Sequence, residues 1–119
     1  MNTVSSANAD IEAQVLAVAH QLEPDVDVGT ALRSILLNEV RRRLAAYELM
    51  TRNLEQKYAM TLTEFEDRNM VEQLGYSFEV ENDHQDWDQA VDASYDLRKL
   101  LRELTNTEDT PRQAPAPVA

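Results

Sequence analysis

From Thr30 to Tyr58 the chain, TALRSILLNEVRRRLAAYELMTRNLEQKY, meets neither Gly nor Pro. Apolar residues recur at Leu32, Ile35/Leu36, Val40, Leu44, Tyr47, Met50, Leu54 and Tyr58, the spacing of three or four that lays side chains along one side of a helix. At about 1.5 Å per residue such a helix is roughly 43 Å long, more than the width of a globule of this size. It must be a spine on which shorter elements lean.

The rest of the chain predicts an all-α fold. Gly occurs only at Gly29 and Gly75, too few turn formers for a β-sandwich or a doubly wound sheet, while Ala, Leu, Glu, Arg and Gln are abundant. Before the spine, Ile11, Val15, Val18 and Leu22 trace a second stripe. This predicts a helix over about 10–22, capped at Asn8 or Asp10 and stopped by Pro24, after a frayed start at residues 1–8. Asp27 or Thr30 then caps the spine. Beyond it, Thr61 with Glu64 has the form of a capping box opening a short helix to about Met70, and Gly75 suits a left-handed turn. Tyr76, Phe78 and Val80 alternate with Ser77, Glu79 and Glu81, so a short extended segment is predicted near 76–81. Asp83 caps a final helix to about Leu104, with Trp87, Ala90/Val91, Ser94, Leu97/Arg98, Leu101 and Leu104 as its stripe. The predicted core is Leu36, Val40, Leu44, Tyr47, Phe65, Trp87, Val91 and Leu101. With 119 residues the expectation is one helical domain, 1–104, in which the long central helix is packed by an N-terminal and a C-terminal helix. Residues 105–119, TNTEDTPRQAPAPVA, carry three prolines and little apolar bulk, the composition of a disordered tail.

Charge and composition narrow the function classes. Residues 1–29 hold five acids and no Lys or Arg, 30–60 six bases against three acids, and 61–104 four bases against twelve acids, for a net charge of −11 overall. A basic spine between acidic flanks is best satisfied by pairing within the fold, and duplex DNA would be repelled by the acidic half. The order of polar start, short helix, turn and helix also invites comparison with ribbon-helix-helix repressors. Their phosphate-binding N-terminal bases are missing here, since the first basic residue is Arg33. DNA binding by the chain alone is therefore not expected. Arg41, Arg42 and Arg43 point about 100° apart around a helix and cannot converge on one ligand. The chain has no Cys, no secretory pattern and no long apolar run, which favours the cytoplasm and no membrane span.

Catalytic constellations were sought and none forms. Glu81-x-x-His84 is half of a di-iron signature, but Ala17 stands where the other histidine, His20, would need its Glu. Asp88, Asp92 and Asp96 share one helical face, yet lack opposing carboxylates and phosphate-binding bases, so they read as a solvated stripe. Glu81-Asn82-Asp83 lacks the Gly and Glu of a calcium loop. The expectation is no enzyme, no metal and no cofactor.

Lys57-Tyr58-Ala59-Met60-Thr61-Leu62 with Glu64-Phe65-Glu66, then Gly75-Tyr76-Ser77-Phe78-Glu79-Val80-Glu81, Asp83 and Asp86-Trp87, covers about a third of the chain. These residues resemble a pattern of small helical bacterial and archaeal proteins, K-Y-G-M-[TS]-x-x-E-F-E followed by S-[FW]-E-V-E-x-D and a Trp one turn on. Members of that group resemble antitoxin-like partners of compact toxin-like proteins encoded beside them. The resemblance implies a non-catalytic antitoxin that neutralises a basic toxin through its acidic half, 61–104. Ala59 stands where the pattern has Gly, which leaves open whether the spine ends in a glycine-type cap or continues with a kink.

Two expectations about association accompany this reading. An isolated strand at 76–81 needs an external partner, so Tyr76, Phe78 and Val80 would enter pockets of the target while Glu79, Glu81 and Asp83 meet its bases, with Trp87 beside them. The alternative is an extended loop with Phe78 and Trp87 in the core. Helices flanking the spine are also too short to cover it, which predicts a homodimer through the long helix at Leu49 and Met50. A self-associating structural or adaptor protein with no inhibitory role is the competing function.

Overall fold

The computed structural model describes residues 3–113, and the side chains of residues 6–106. Five helices follow one another: α1 Thr3–Leu22, α2 Val28–Tyr58, α3 Leu62–Asp67, α4 Met70–Gln73 and α5 Phe78–Gln113. No strand occurs among the described residues, so the all-α expectation holds. The chain forms two compact units, one up to Glu39 and one from Val40 onward.

In the first unit, α1 starts at Thr3 and not near Asp10. Ala7 and Ala9 favour helix and nothing before Pro24 breaks it, so Asn8 and Asp10 lie inside the helix instead of capping it. Of the two caps considered for the spine, Asp27 is the one used: its Oδ1 accepts the Thr30 N–H at 2.8 Å. The Thr30 backbone bond, first among its causes, holds the Asp27 carboxyl below its ordinary value. The buried residues here are Ala19 and Ala31, one on each helix. The stripe of α1, Ile11, Val15, Val18 and Leu22, is exposed, and so is Leu36, which the sequence placed in the core.

In the second unit the core is Leu54, Phe65, Val80 and Trp87, with Tyr58, Met60, Leu62, Met70 and Val71 packed against it. Val40 and Leu44 are also buried, as expected, whereas Tyr47 and Leu101 are half-buried. Val91 is 37% exposed while its neighbour Ala90 is fully buried, which corrects the predicted core. The line Trp87, Ala90, Ser94 advances by three and then four residues and turns Val91 outward.

The turns between these helices are tightly specified. Ala59 adopts φ 58, and the Met60 N–H reaches the Glu55 carbonyl at 3.2 Å, the six-to-one bond of a Schellman cap. The spine therefore ends in a glycine-type cap occupied by alanine. Ala59→Gly relieves that left-handed strain, and urea denaturation is expected to show a gain of about 1 kcal/mol. A loss would mean that the Ala59 methyl group makes a contact worth more than the strain. Thr61 and Glu64 close the capping box, with the Thr61 N–H bonded to Glu64 Oε1 at 2.9 Å and the Glu64 N–H to Thr61 Oγ1 at 3.2 Å. The short helix predicted to about Met70 is split in two, because Asn69 takes φ 51 between α3 and α4. Gly75 has the expected left-handed φ of 81, and the Tyr76 N–H bonds the Val71 carbonyl at 2.9 Å.

The extended segment near 76–81 is not present. Tyr76 is left-handed, φ 54, and Ser77 caps α5, its Oγ accepting the Val80 N–H at 3.2 Å. Glu79 and Glu81 fall in the first turn of α5, where the partial positive charge of the helix start favours them. The alternation Tyr76, Phe78, Val80 was too short to outweigh a Ser cap followed by acids. Asp83, expected as the cap, lies inside α5. That helix continues past Leu104 to Gln113, and residues 114–119 of the expected tail lie outside the described residues.

Candidate interaction site

Lys57, in the last turn of α2, faces Glu79 and Asp83, four residues apart on the first turns of α5. Its Nζ donates to Glu79 Oε2 at 2.5 Å and to Asp83 Oδ2 at 2.6 Å, and the Tyr58 hydroxyl donates to the same Asp83 oxygen at 2.6 Å. Beneath this clamp, Tyr58 stacks on Trp87 with ring centroids 5.8 Å apart and meets Phe65 edge-on at 5.0 Å. Phe65 in turn lies 5.2 Å from Trp87 and 5.6 Å from the His84 ring. Nε2 of His84 is 2.8 Å from Glu66 Oε2, which ties α5 to α3. The start of α5 is thus held by charge on one side and by aromatic packing beneath.

This network sets the protonation of its members. Burial pushes the Asp83 carboxyl up, but the Lys57 ammonium and Tyr58 hydroxyl outweigh it and hold the group below its ordinary value. Burial, then the bond to Asp83, pushes the Tyr58 phenol up to about 12. Lys57 is held above its ordinary value by Asp83 first and Glu79 second. The Asp83 contribution is complete above its unfolded value of 3.8 and disappears as pH falls through the lower folded value. Those of Tyr58 and Lys57 are complete below their unfolded values of 10.0 and 10.5 and disappear as pH rises through the higher folded ones. Thermal stability from this network is therefore expected to be flat between about pH 5 and 9 and to fall on both sides. Asp83→Asn should shrink the acid limb, and an unchanged limb would assign it to other carboxylates. Ultraviolet difference spectra should show a tyrosine ionising near pH 12, absent in Tyr58→Phe.

On this support the sequence-predicted site residues separate into three groups. Tyr76, 60% exposed, and Phe78, 86% exposed, project from the turn into α5, with Glu81 also exposed. Together with Asn82 and Gln85 they line a cleft of about 290 Å³. Glu79 and Asp83 are turned to Lys57, although the Glu79 side chain is still 71% exposed. Val80 and Trp87 lie in the core. Phe78 does not, so the extended-loop alternative is corrected along with the strand. The clamp partners Lys57 and Tyr58 were missed as site residues; the four-residue spacing of Glu79 and Asp83 was the only local signal.

A second groove, about 340 Å³, is lined by Glu48, Thr51 and Arg52 of α2 and Val91, Ser94 and Arg98 of α5. Arg98 Nη2 donates to Glu48 Oε2 at 2.8 Å. The hydroxyls of Thr51 and Ser94 are buried without a hydrogen-bond partner in the protein, a state that costs about 1–3 kcal/mol for such a group. The sequence signals for this groove were Ser94 and Arg98, the two polar residues on the α5 stripe.

Asp88, Asp92 and Asp96 are exposed, and among the described residues no three His, Cys, Asp or Glu side chains are grouped to hold a metal ion. No helix of the described residues is long and apolar enough to cross a membrane. The fold and site define an all-α protein presenting an aromatic and acidic knob on a stapled helix junction. Comparison with family models, with curated proteins and with solved structures found no match.

Proposed function

We propose that this is a non-catalytic cytoplasmic interaction protein, an antitoxin-like partner that neutralises a basic, toxin-like protein through its acidic half. The observation that carries the reading is the pair Tyr76 and Phe78, exposed beside Glu79 and Glu81 on a start of α5 that clamp and core hold in place. Exposed aromatics on a rigid support are the side chains that anchor protein interfaces, since they bring large apolar area at small entropic cost. Flanking carboxylates select a basic partner and speed its approach. Contact comes from a helix start and the turn before it, not from an added strand. Co-expression with the adjacent open reading frame tests this: the protein should rescue growth and co-purify with the product. Failure to do either retires the antitoxin reading.

A homodimer through the long helix is a second reading, favoured by Leu49 and Met50. Both are exposed on α2 at a cleft of about 340 Å³ shared with Ala46, Asn53, Leu54 and Asp86. Sedimentation of the free protein at high concentration should give a dimer that Leu49→Glu converts to monomer. A monomer for the unaltered chain removes both this interface and the adaptor role it would serve.

A further inference from the structure

We infer that the groove between α2 and α5 binds a phosphate group. Two residues of its walls, Thr51 and Ser94, carry unpaired hydroxyls. Ser94 is 4% exposed, and neither its Oγ nor Thr51 Oγ1 has a hydrogen-bond partner in the protein. Helical Ser and Thr ordinarily relieve this by donating to the carbonyl four residues back. Thr105, on the same α5, does so, to the Leu101 carbonyl at 2.7 Å. Thr51 and Ser94 do not, so two buried hydroxyls are left unpaired in the walls of the groove that these residues line.

Two guanidinium groups complete the donor set. Arg98 spends Nη2 on Glu48 at 2.8 Å and, with five N–H donors, has others to offer. Arg52 is exposed on the same groove. With Glu48 as the single acid, the lining is net positive in a chain whose total charge is −11. It is therefore a local site for a small anion. Hydroxyl and guanidinium donors together suit a group with several acceptor oxygens. A carboxylate, with only two oxygens, would leave part of the set unpaired, whereas a tetrahedral phosphate can engage hydroxyls and guanidiniums at once. The volume of about 340 Å³ holds such a group and leaves room for what it is attached to. None of these residues is among Tyr76, Phe78, Glu79 and Glu81, the side chains on which the docking proposal rests, so the inference stands apart from that reading.

The test is thermal unfolding of the whole chain in inorganic phosphate, in adenosine monophosphate and in acetate, at matched ionic strength. Unaltered protein, Ser94→Ala and Arg52→Gln are compared. Phosphate should raise the melting temperature of the unaltered protein in a saturable way while acetate does not. The fitted Kd should weaken at least tenfold in each variant. Ser94→Ala should fold at least as well as the unaltered chain, because it removes an unpaired buried hydroxyl, so its lost response reports binding. A larger response to the monophosphate than to phosphate assigns the group to an ester, and equal responses assign it to the free ion. Equal responses in all three proteins, or a phosphate effect no larger than that of acetate, overturn the inference.

Discussion

Trp87→Ala is expected to cost about 3–5 kcal/mol, a large part of the total stability of a chain this size. Trp87 is fully buried, stacks on Tyr58 and packs on Phe65, so truncation removes the ring that the other two enclose. Urea denaturation followed by helicity measures it. Trp87→Phe is the informative companion. Its Nε1 is buried without a hydrogen-bond partner in the protein, so the smaller ring opens a cavity but also removes an unpaired donor. The two effects are each of order 1 kcal/mol and opposite in sign, which predicts a net change within about 1 kcal/mol. If Trp87→Phe proves as damaging as Trp87→Ala, the shape of the indole matters more than its area.

Phe78→Ala is expected to act in the opposite way, on binding and not on folding. With 86% of its surface exposed, its truncation should change stability by no more than about 0.5 kcal/mol. If Phe78 anchors the proposed interface, affinity for the co-purified basic partner should fall by at least about 2 kcal/mol, roughly thirtyfold, chiefly through faster dissociation. Titration calorimetry with the unaltered and altered chains reads this directly. A loss smaller than about threefold would move the docking surface away from the turn into α5. Glu81→Lys beside it should slow association and reduce its salt dependence without touching the clamp.

The strand reading failed at residues 76–81 for a reason that bears on the site. Three alternating apolar residues can equally be the turn and first turn of a helix. Tyr76 and Phe78 both face solvent there while Val80 enters the core, a division that no two-residue period describes. Of the side chains singled out for partner contact, Tyr76, Phe78 and Glu81 are exposed at this turn, whereas Val80 and Trp87 are buried in the core. Likewise Ala59 left open whether the spine ends or continues with a kink, and only its φ of 58 decided for a left-handed cap.

What the sequence by itself determined is what depends on neighbours within one or two turns. The Gly- and Pro-free run of the spine, the Thr61–Glu64 capping box and the left-handed Gly75 are all local, and each is present, while the cap of the spine was narrowed to Asp27 or Thr30 and the fold uses Asp27. What only the tertiary structure decided depends on residues far apart in the chain. Lys57 meets Asp83 across 26 positions and Arg98 meets Glu48 across 50, pairings chosen by how α5 lies on α2 and not by any spacing in the sequence. The same holds for which apolar positions are covered. Periodicity places Leu36, Val91 and the α1 stripe on helical faces, but burial requires a surface packed against them, and among the described residues these side chains stay exposed.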